Sequence, residues 1–324
     1  ELILCNQNAR DAGAEAVARE ARHARSLRTV DLGNNKIGDA GAWAAARELK
    51  HAPMLTGLLL YGNNIGKLGA TSLVSELRNL QELNLRNNKI GDEGAMEVAR
   101  ALRHAMYLRK LDLGENEIGD AGAWAAAREL RSAPSLKILS LYGNELGNAG
   151  AKALAGELRN APILQGLNLG NNKIGDAGTE SLAQLGTKLK GLNLNRNDIG
   201  DAGAEALAGA LLRHGPMLTL NTLYLSENSI GDEGAEALAR WISHAPGMLK
   251  LDITQPPTLA GRMRAIGPAG AQAMANQLLE APPKTLRELN GVDLAGAFEQ
   301  LGLQWPLAGG RSNASILNEL RNPR

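Results

Sequence analysis

The hydrophobic positions of this chain follow one pattern that recurs along most of its length. Leucines alternate with other residues in the order Leu-x-x-Leu-x-Leu-x-x-Asn-x-Ile-Gly-Asp, and units begin at Leu27, Leu55, Leu80, Leu108, Leu136, Leu164, Leu189, Leu220, Met248 and Leu286. The Leu-x-Leu alternation predicts a short strand with one buried face. The Gly-Ala-x-x-Leu-Ala-x-x-Leu stretch that follows, as at residues 203–211, predicts a helix with one apolar face.

Two polar positions recur with the leucines. An asparagine fills one slot in eight units, at Asn35, Asn63, Asn88, Asn116, Asn144, Asn172, Asn197 and Asn228. Facing inward, these amides can satisfy backbone groups of the bend that would otherwise be buried without a partner. The aspartate of Ile-Gly-Asp is placed to cap the helix that follows it, at Asp39, Asp92, Asp120, Asp176, Asp201 and Asp232.

One strand and one helix per unit closely resembles the ribonuclease-inhibitor-like class of leucine-rich repeats, which also occurs in NOD-like receptors and Ran GTPase-activating proteins. The resemblance covers roughly residues 2 to 280. It implies an α/β fold, a horseshoe-shaped solenoid with parallel strands on the concave face and helices on the convex face. We therefore assign residues 1–280 to repeats, with a partial first unit and an insertion at about 255–265. We assign residues 281–324 to a C-terminal capping segment.

One stretch of the sequence occurs twice with few changes. The stretch DLGNNKIGDAGAWAAAREL begins at Asp31 and returns as DLGENEIGDAGAWAAAREL at Asp112. The units around these stretches also match in order, which indicates duplication of a block of three repeats. Repetition by itself therefore needs no functional cause.

The residues between the strand leucines are predicted to point to the concave side. Apolar and tyrosine side chains cluster there in two units, as Leu59 with Tyr61 and Ile138 with Tyr142, and Tyr224 stands on a later strand. Because tyrosine is a favoured interface anchor, we expect these five residues to bind a partner protein. In the alternative interpretation, the duplicated tyrosines only cover the sheet.

Two further groups are second candidates for partner binding. Trp43 and Trp124 occupy a helix slot that is predicted to face solvent on the convex side, each with an arginine four residues on. Arg262, Met263 and Arg264 lie in the inserted loop, and insertions in solenoids often add a binding site. The alternatives are a tryptophan folded onto its own helix and a tolerated surface loop.

Composition narrows the classes of function. Thirty-five basic and 34 acidic residues leave a net charge of +1, which indicates neither nucleic-acid binding nor a membrane surface. The single cysteine, Cys5, suits a reducing, cytoplasmic location. The histidines occupy a helix C-terminal slot rather than a metal-ligand arrangement, and the glycines and aspartates have structural places in the repeat. We therefore expect no metal, no cofactor and no catalytic site.

The interpretation that best fits these patterns is a non-catalytic protein-binding scaffold or adaptor. The resemblance leaves two alternatives, a GTPase activator and an enzyme inhibitor. The acidic tail typical of Ran GTPase-activating proteins is absent, and the acidic excess expected of a ribonuclease inhibitor is absent too. The chain opens on strand residues Leu2 and Leu4, so we also expect the natural protein to extend before Glu1. Residues 1–26 would then either self-associate through an open strand edge or fray.

Overall fold

A computed structural model describes residues 1–102, 104–131, 133–245, 247–254, 266–280, 286, 288–290 and 292. Its chain forms two compact units, Glu1–Asn168 and Leu169–Arg324. The candidate loop residues Arg262, Met263 and Arg264 lie outside the described residues, as does most of the 281–324 segment. The division of the chain into repeats and a cap stays a prediction.

The first unit alternates short strands with helices. The strands are β1 (Leu2–Ile3), β2 (Thr29–Asp31), β3 (Gly57–Leu59), β4 (Glu82–Asn84), β5 (Lys110–Asp112), β6 (Ile138–Ser140) and β7 (Gly166–Asn168). The helices are α1 (Arg10–Ala21), α2 (Asp39–Leu49), α3 (Lys67–Glu76), α4 (Gly91–Leu102), α5 (Asp120–Leu130) and α6 (Asn148–Leu158).

The second unit continues the alternation. Its strands are β8 (Gly191–Asn193), β9 (Thr222–Tyr224), β10 (Lys250–Asp252) and β11 (Glu288–Asn290). Its helices are α7 (Asp176–Leu182), α8 (Asp201–His214), α9 (Asp232–His244) and α10 (Pro268–Glu280), with 3₁₀ turns at Ala183–Thr187 and Gly215–Met217. Among the described residues, no helix is both long and apolar enough to cross a membrane.

Within each unit the strands pair in parallel and in chain order. The central residues of neighbouring strands stand in register, as Val30 with Leu58, Leu58 with Leu83, and Leu83 with Leu111. Parallel neighbours require a crossover connection, and each helix supplies one. The α/β architecture predicted from the sequence is confirmed.

The core is built from leucine and alanine rather than from aromatic side chains. The central strand leucines are almost completely buried, and so are the helix residues that face them, for example Leu207 and Leu211 in α8. Alanines such as Ala42 and Ala46 let the helices approach one another closely. Trp241 is the largest side chain among those that are fully buried.

The asparagine slot links each repeat to the one before it. The Asn63 side-chain oxygen accepts hydrogen bonds from the backbone N–H groups of Asn35 and Ile37, at 3.0 and 2.9 Å. Its side-chain nitrogen donates to the carbonyls of Leu32 and Leu60, at 3.1 and 2.9 Å. All eight slot asparagines are buried, which agrees with the inward orientation predicted from the sequence.

The Ile-Gly-Asp aspartates differ from the sequence-based prediction. Asp39 is the first residue of α2, but it does not cap α2: its Oδ1 accepts hydrogen bonds from the N–H groups of Gly66 and Gly69, at 2.7 and 2.9 Å, at the start of α3. Asp120 serves α6 in the same way, through Gly147 and Gly150. The aspartate therefore caps the helix of the next repeat, because parallel stacking brings that helix N-terminus beside it.

Candidate functional site

The face of the strands that lies opposite the helices is lined by the residues between the buried leucines; we call it the open strand face. In the first unit it carries Leu59, Tyr61, Ile138 and Tyr142 among the sequence-predicted site residues. Ile138 is 43% exposed, and the other three side chains are partly exposed. These side chains add nothing to the leucine core, so the open strand face is available for contacts with another molecule.

Tyr61 lies flat over the neighbouring repeat. A Cβ atom at Gly33 would overlap the Tyr61 ring, so glycine at that position makes room for the aromatic side chain. The Tyr61 hydroxyl donates a hydrogen bond to Asp31 Oδ2 at 3.4 Å. Burial raises the pKa of Tyr61 above its ordinary value, and the Asp31 carboxylate and the Cys5 thiol raise it further. The Tyr61 ring therefore packs against Gly33, with its hydroxyl beside Asp31.

Tyr142 has a different environment, although it is the duplicate of Tyr61. The guanidinium carbon of Arg86 lies 4.9 Å from the centre of the Tyr142 ring, which is cation–π geometry. Arg86 also pairs with Glu115 at 2.5 Å, and this hydrogen bond raises the pKa of the guanidinium. Arg86, Glu115 and Tyr142 thus form a polar and aromatic cluster with a fixed geometry.

In the second unit, Tyr224 is partly exposed on β9. The Lys250 ammonium on the adjacent β10 lies 5.4 Å from its ring centre. A cation therefore accompanies an aromatic ring in this unit as well. The cations Arg86 and Lys250 were not among the predicted site residues, because Arg86 lies two repeats before Tyr142 in the chain and Lys250 stands in register with Thr222 rather than with Tyr224.

The two predicted tryptophans of the helix face are indeed solvent-facing. Trp43 is 51% exposed and Trp124 is 52% exposed. The Arg47 guanidinium lies 5.5 Å from the Trp43 ring centre. Trp43 also borders an open groove between α2 and α3, where Leu68 is 69% exposed. This groove is the second candidate surface.

The described residues contain no group of three or more His, Cys, Asp or Glu side chains arranged to hold a metal ion. His23, His51 and His104 are exposed and follow the ends of α1, α2 and α4, and exposed His244 ends α9, as their common slot predicts. Among the described residues, the Ile-Gly-Asp aspartates accept hydrogen bonds from backbone N–H groups at helix N-termini.

Comparison with known families agrees with the repeat pattern. The Leucine Rich repeat family model matches residues 23–44, 76–99, 104–125, 132–155, 162–183, 187–208 and 217–239. The chain is a leucine-rich repeat protein. Repeats of this family generally bind other proteins and typically have no catalytic role. Curated protein sequences gave no match.

Solved structures of other repeat proteins are similar to the chain. One is an internalin (inlF) from Listeria monocytogenes str. 4b F2365, with a TM-score of 0.39 and 17% identity over 93% of this chain and 95% of that chain. Another is the plant peptide hormone receptor RGFR1 in complex with RGF2, with a TM-score of 0.40 and 18% identity over 84% of this chain. The chain spans 40% of that receptor chain.

Proposed function

We propose that this protein is a non-catalytic scaffold or adaptor that binds a partner protein through the open strand face. The observation that supports this proposal is the fixed placement of two aromatic rings there. Tyr61 is held by Gly33 and Asp31, and Tyr142 is held by Arg86. A side chain that is already ordered loses little conformational entropy on binding, so pre-placed tyrosines are efficient interface anchors.

The neighbouring polar groups give this surface a means of discrimination. Charges of both signs lie beside the candidate contact residues: Arg86 with Glu115 next to Tyr142, and Lys110 with Glu82, at 3.6 Å, next to Ile138. A partner must present matching charges as well as apolar contacts, and mismatched charges lower affinity. We propose Leu59 and Ile138 as the apolar contacts beside the tyrosines. Tyr224, with Lys250 beside it, would extend the site in the second unit.

The test compares two pairs of substitutions on opposite faces of the first unit. Wild-type protein, a Tyr61→Ala/Tyr142→Ala variant and a Trp43→Ala/Trp124→Ala variant are used as bait in extracts of the native source. A captured protein is then purified, and its affinity for each variant is measured by calorimetry. We expect the tyrosine variant to bind at least about tenfold more weakly, as hot-spot truncations do. The tryptophan variant should keep wild-type affinity.

Unchanged unfolding by urea in both variants would show that the affinity change is local. The opposite result, full affinity of the tyrosine variant and loss in the tryptophan variant, would move the site to the groove beside Trp43. The GTPase-activating and enzyme-inhibiting alternatives stay predictions, as do cytoplasmic location and self-association through residues 1–26. GTP-hydrolysis and inhibition assays on the captured partner address the first two.

A further inference from the structure

The connections that lead from a helix to the next strand gather positive charge along one edge of the first unit. These six segments, 22–28, 50–56, 77–81, 104–109, 131–137 and 159–165, contain nine lysines and arginines and no acid. The six connections from strand to helix, 4–9, 32–38, 60–66, 85–90, 113–119 and 141–147, contain three cations and three acids. We call the first edge the basic rim. Its charge is a property of that edge and not of the loops in general.

Helix ends account for only part of this charge, because four of the cations are C-cap residues: Arg22, Lys50, Arg131 and Arg159. Cations within the last turn of a helix interact favourably with its carbonyl end, but the effect falls off within that turn. Arg109 stands seven residues beyond the end of α4 at Leu102, and Lys137 stands seven beyond the end of α5 at Leu130. These two residues lie next to the strands, out of reach of the helix ends.

Arg109 and Lys137 occupy the same place in neighbouring repeats. The Lys137 N–H donates to the Arg109 carbonyl at 2.9 Å, so their side chains start about one strand spacing, roughly 4.8 Å, apart. Among the described residues neither side chain forms an ion pair, whereas the nearby Lys110 and Arg131 pair with Glu82 and Glu157. Adjacent like charges repel, so an anionic group bound between these two cations would relieve their repulsion.

Apolar side chains stand among these cations. Met106 is 57% exposed and Tyr107 is 58% exposed, immediately before Arg109 in the chain. Met54 and Ile163 occupy the slot of Tyr107 in other repeats and are 43% and 36% exposed. Exposed apolar groups next to unpaired cations are typical of a protein-binding surface rather than of a purely solvated edge.

We propose that the basic rim binds an acidic segment of a partner protein, one that carries carboxylates beside apolar side chains. The carboxylates would pair with Arg109 and Lys137, and the apolar side chains would cover Met106 and Tyr107. Aliphatic Met54, Met106 and Ile163 cannot stack on bases, and the net charge of +1 gives little long-range attraction for a polyanion; both observations favour a peptide over a nucleic acid. The slot of Tyr107 holds Asn79 and Ser135 in the intervening repeats, so the exposed apolar residues are not joined in one continuous face that could enter a bilayer.

The probe is a fluorescein-labelled peptide that repeats Glu-Phe-Asp-Leu, and its binding to the full chain is followed by fluorescence anisotropy. Arg109→Glu with Lys137→Glu should weaken binding at least about tenfold, because two attractive pairs become repulsive. Met106→Ser with Tyr107→Ser should weaken it several-fold. Raising the salt concentration should weaken it as well, because the charges are exposed.

The matched control is Lys36→Glu with Lys89→Glu, which changes the net charge by the same amount on the strand-to-helix connections. Lys36 has a φ of 59°, and its duplicate Glu117 has the same value, so glutamate fits that backbone. The control should bind the peptide as wild type does. Tyr61→Ala with Tyr142→Ala should also leave peptide binding unchanged, because this inference does not rest on the open strand face.

Three further probes decide the class of partner. They are the same peptide with Gln and Asn in place of its acids, a single-stranded oligothymidylate, and vesicles containing phosphatidylserine. The proposal requires the acidic peptide to bind more tightly than all three. It is overturned by absent binding of the acidic peptide, by equal loss in the rim and control variants, or by preferred binding of the oligonucleotide or the vesicles.

Discussion

At the scale of single residues, two identical side chains acquire different surroundings in this protein. Tyr61 and Tyr142 are duplicates, but the residue two repeats earlier in the same slot is Cys5 for Tyr61 and Arg86 for Tyr142. The first tyrosine consequently bonds to Asp31, and the second lies under a guanidinium. Both positions could be named from the sequence, because strand alternation exposes them. Their electrostatic environments could not, because these depend on which repeats stack together.

The slot asparagine gives a prediction at this scale. Asn116 is fully buried; its side-chain nitrogen donates to the Leu85 and Gly114 carbonyls at 2.9 and 2.8 Å, and its oxygen accepts from the Ile90 N–H at 3.4 Å. Asn116→Ala removes the acceptor of the Ile90 N–H and one of the two donors at each carbonyl, because Leu85 also accepts from the Asn88 side chain and Gly114 from the Asn87 N–H. We therefore expect the free energy of unfolding to fall by about 1–3 kcal/mol in urea denaturation. The exposed Asn79→Ala should change it by less than about 0.5 kcal/mol. Equal free energies of unfolding for wild type and Asn116→Ala would show that the slot asparagines do not stabilise the fold.

Two helical glycines give a second prediction. Substitution by alanine should destabilise the protein at one of them and stabilise it at the other. A Cβ at Gly69 would lie 2.7 Å from Asp39 Oδ1 and 2.9 Å from the Ile65 side chain, whereas a Cβ at Gly156 in α6 would meet nothing within 4 Å. We expect Gly69→Ala to lower the free energy of unfolding by about 1–3 kcal/mol through overpacking. Gly156→Ala should raise it by about 0.5–1 kcal/mol through helix propensity. A stabilised Gly69→Ala variant would mean that the repeats can move apart at no cost.

At the scale of elements, the helices depend on their neighbours for their first turn. The N-cap residue of most helices in the first unit is glycine, which has no side chain to offer, and the carboxylate comes from the preceding repeat. The position of each helix was predictable from its apolar period. The residue that caps each helix was not predictable, because the Ile-Gly-Asp motif precedes one helix in the chain and contacts the next helix in space.

Hydrogen exchange can separate the two assignments of the cap. Asp39→Ala removes the acceptor of the Gly66 and Gly69 amides, so we expect α3 to lose about 1 kcal/mol of protection, roughly fivefold faster exchange, while α2 is unchanged. Glu233→Ala is the control, because this exposed acid lies in the first turn of α9, far along the chain from α2 and α3. Faster exchange in α2 with an unchanged α3 would restore the assignment made from the sequence.

At the scale of the whole molecule, the near-zero net charge conceals an uneven distribution. The net charge of +1 indicated no anionic partner, and a charge this small does give little long-range attraction for an anion. Once the chain folds, however, every helix-to-strand connection of the first unit reaches the same edge, and their charges add locally. The first unit thus offers two surfaces, the open strand face with its tyrosines and the basic rim with Arg109 and Lys137.

The amino-acid pattern predicts the repeat, the strand and helix of each unit, the buried leucines and the inward asparagines, because each follows from a local period and from the cost of burying polar groups. It also identified the exposed tyrosines and tryptophans. The folded chain was needed to show which helix Asp39 caps, which cation meets Tyr142, and that Arg109 and Lys137 stand side by side. The physical reason is the same in each case. These partners lie a full repeat or more apart in the chain and meet only when parallel strands stack in register.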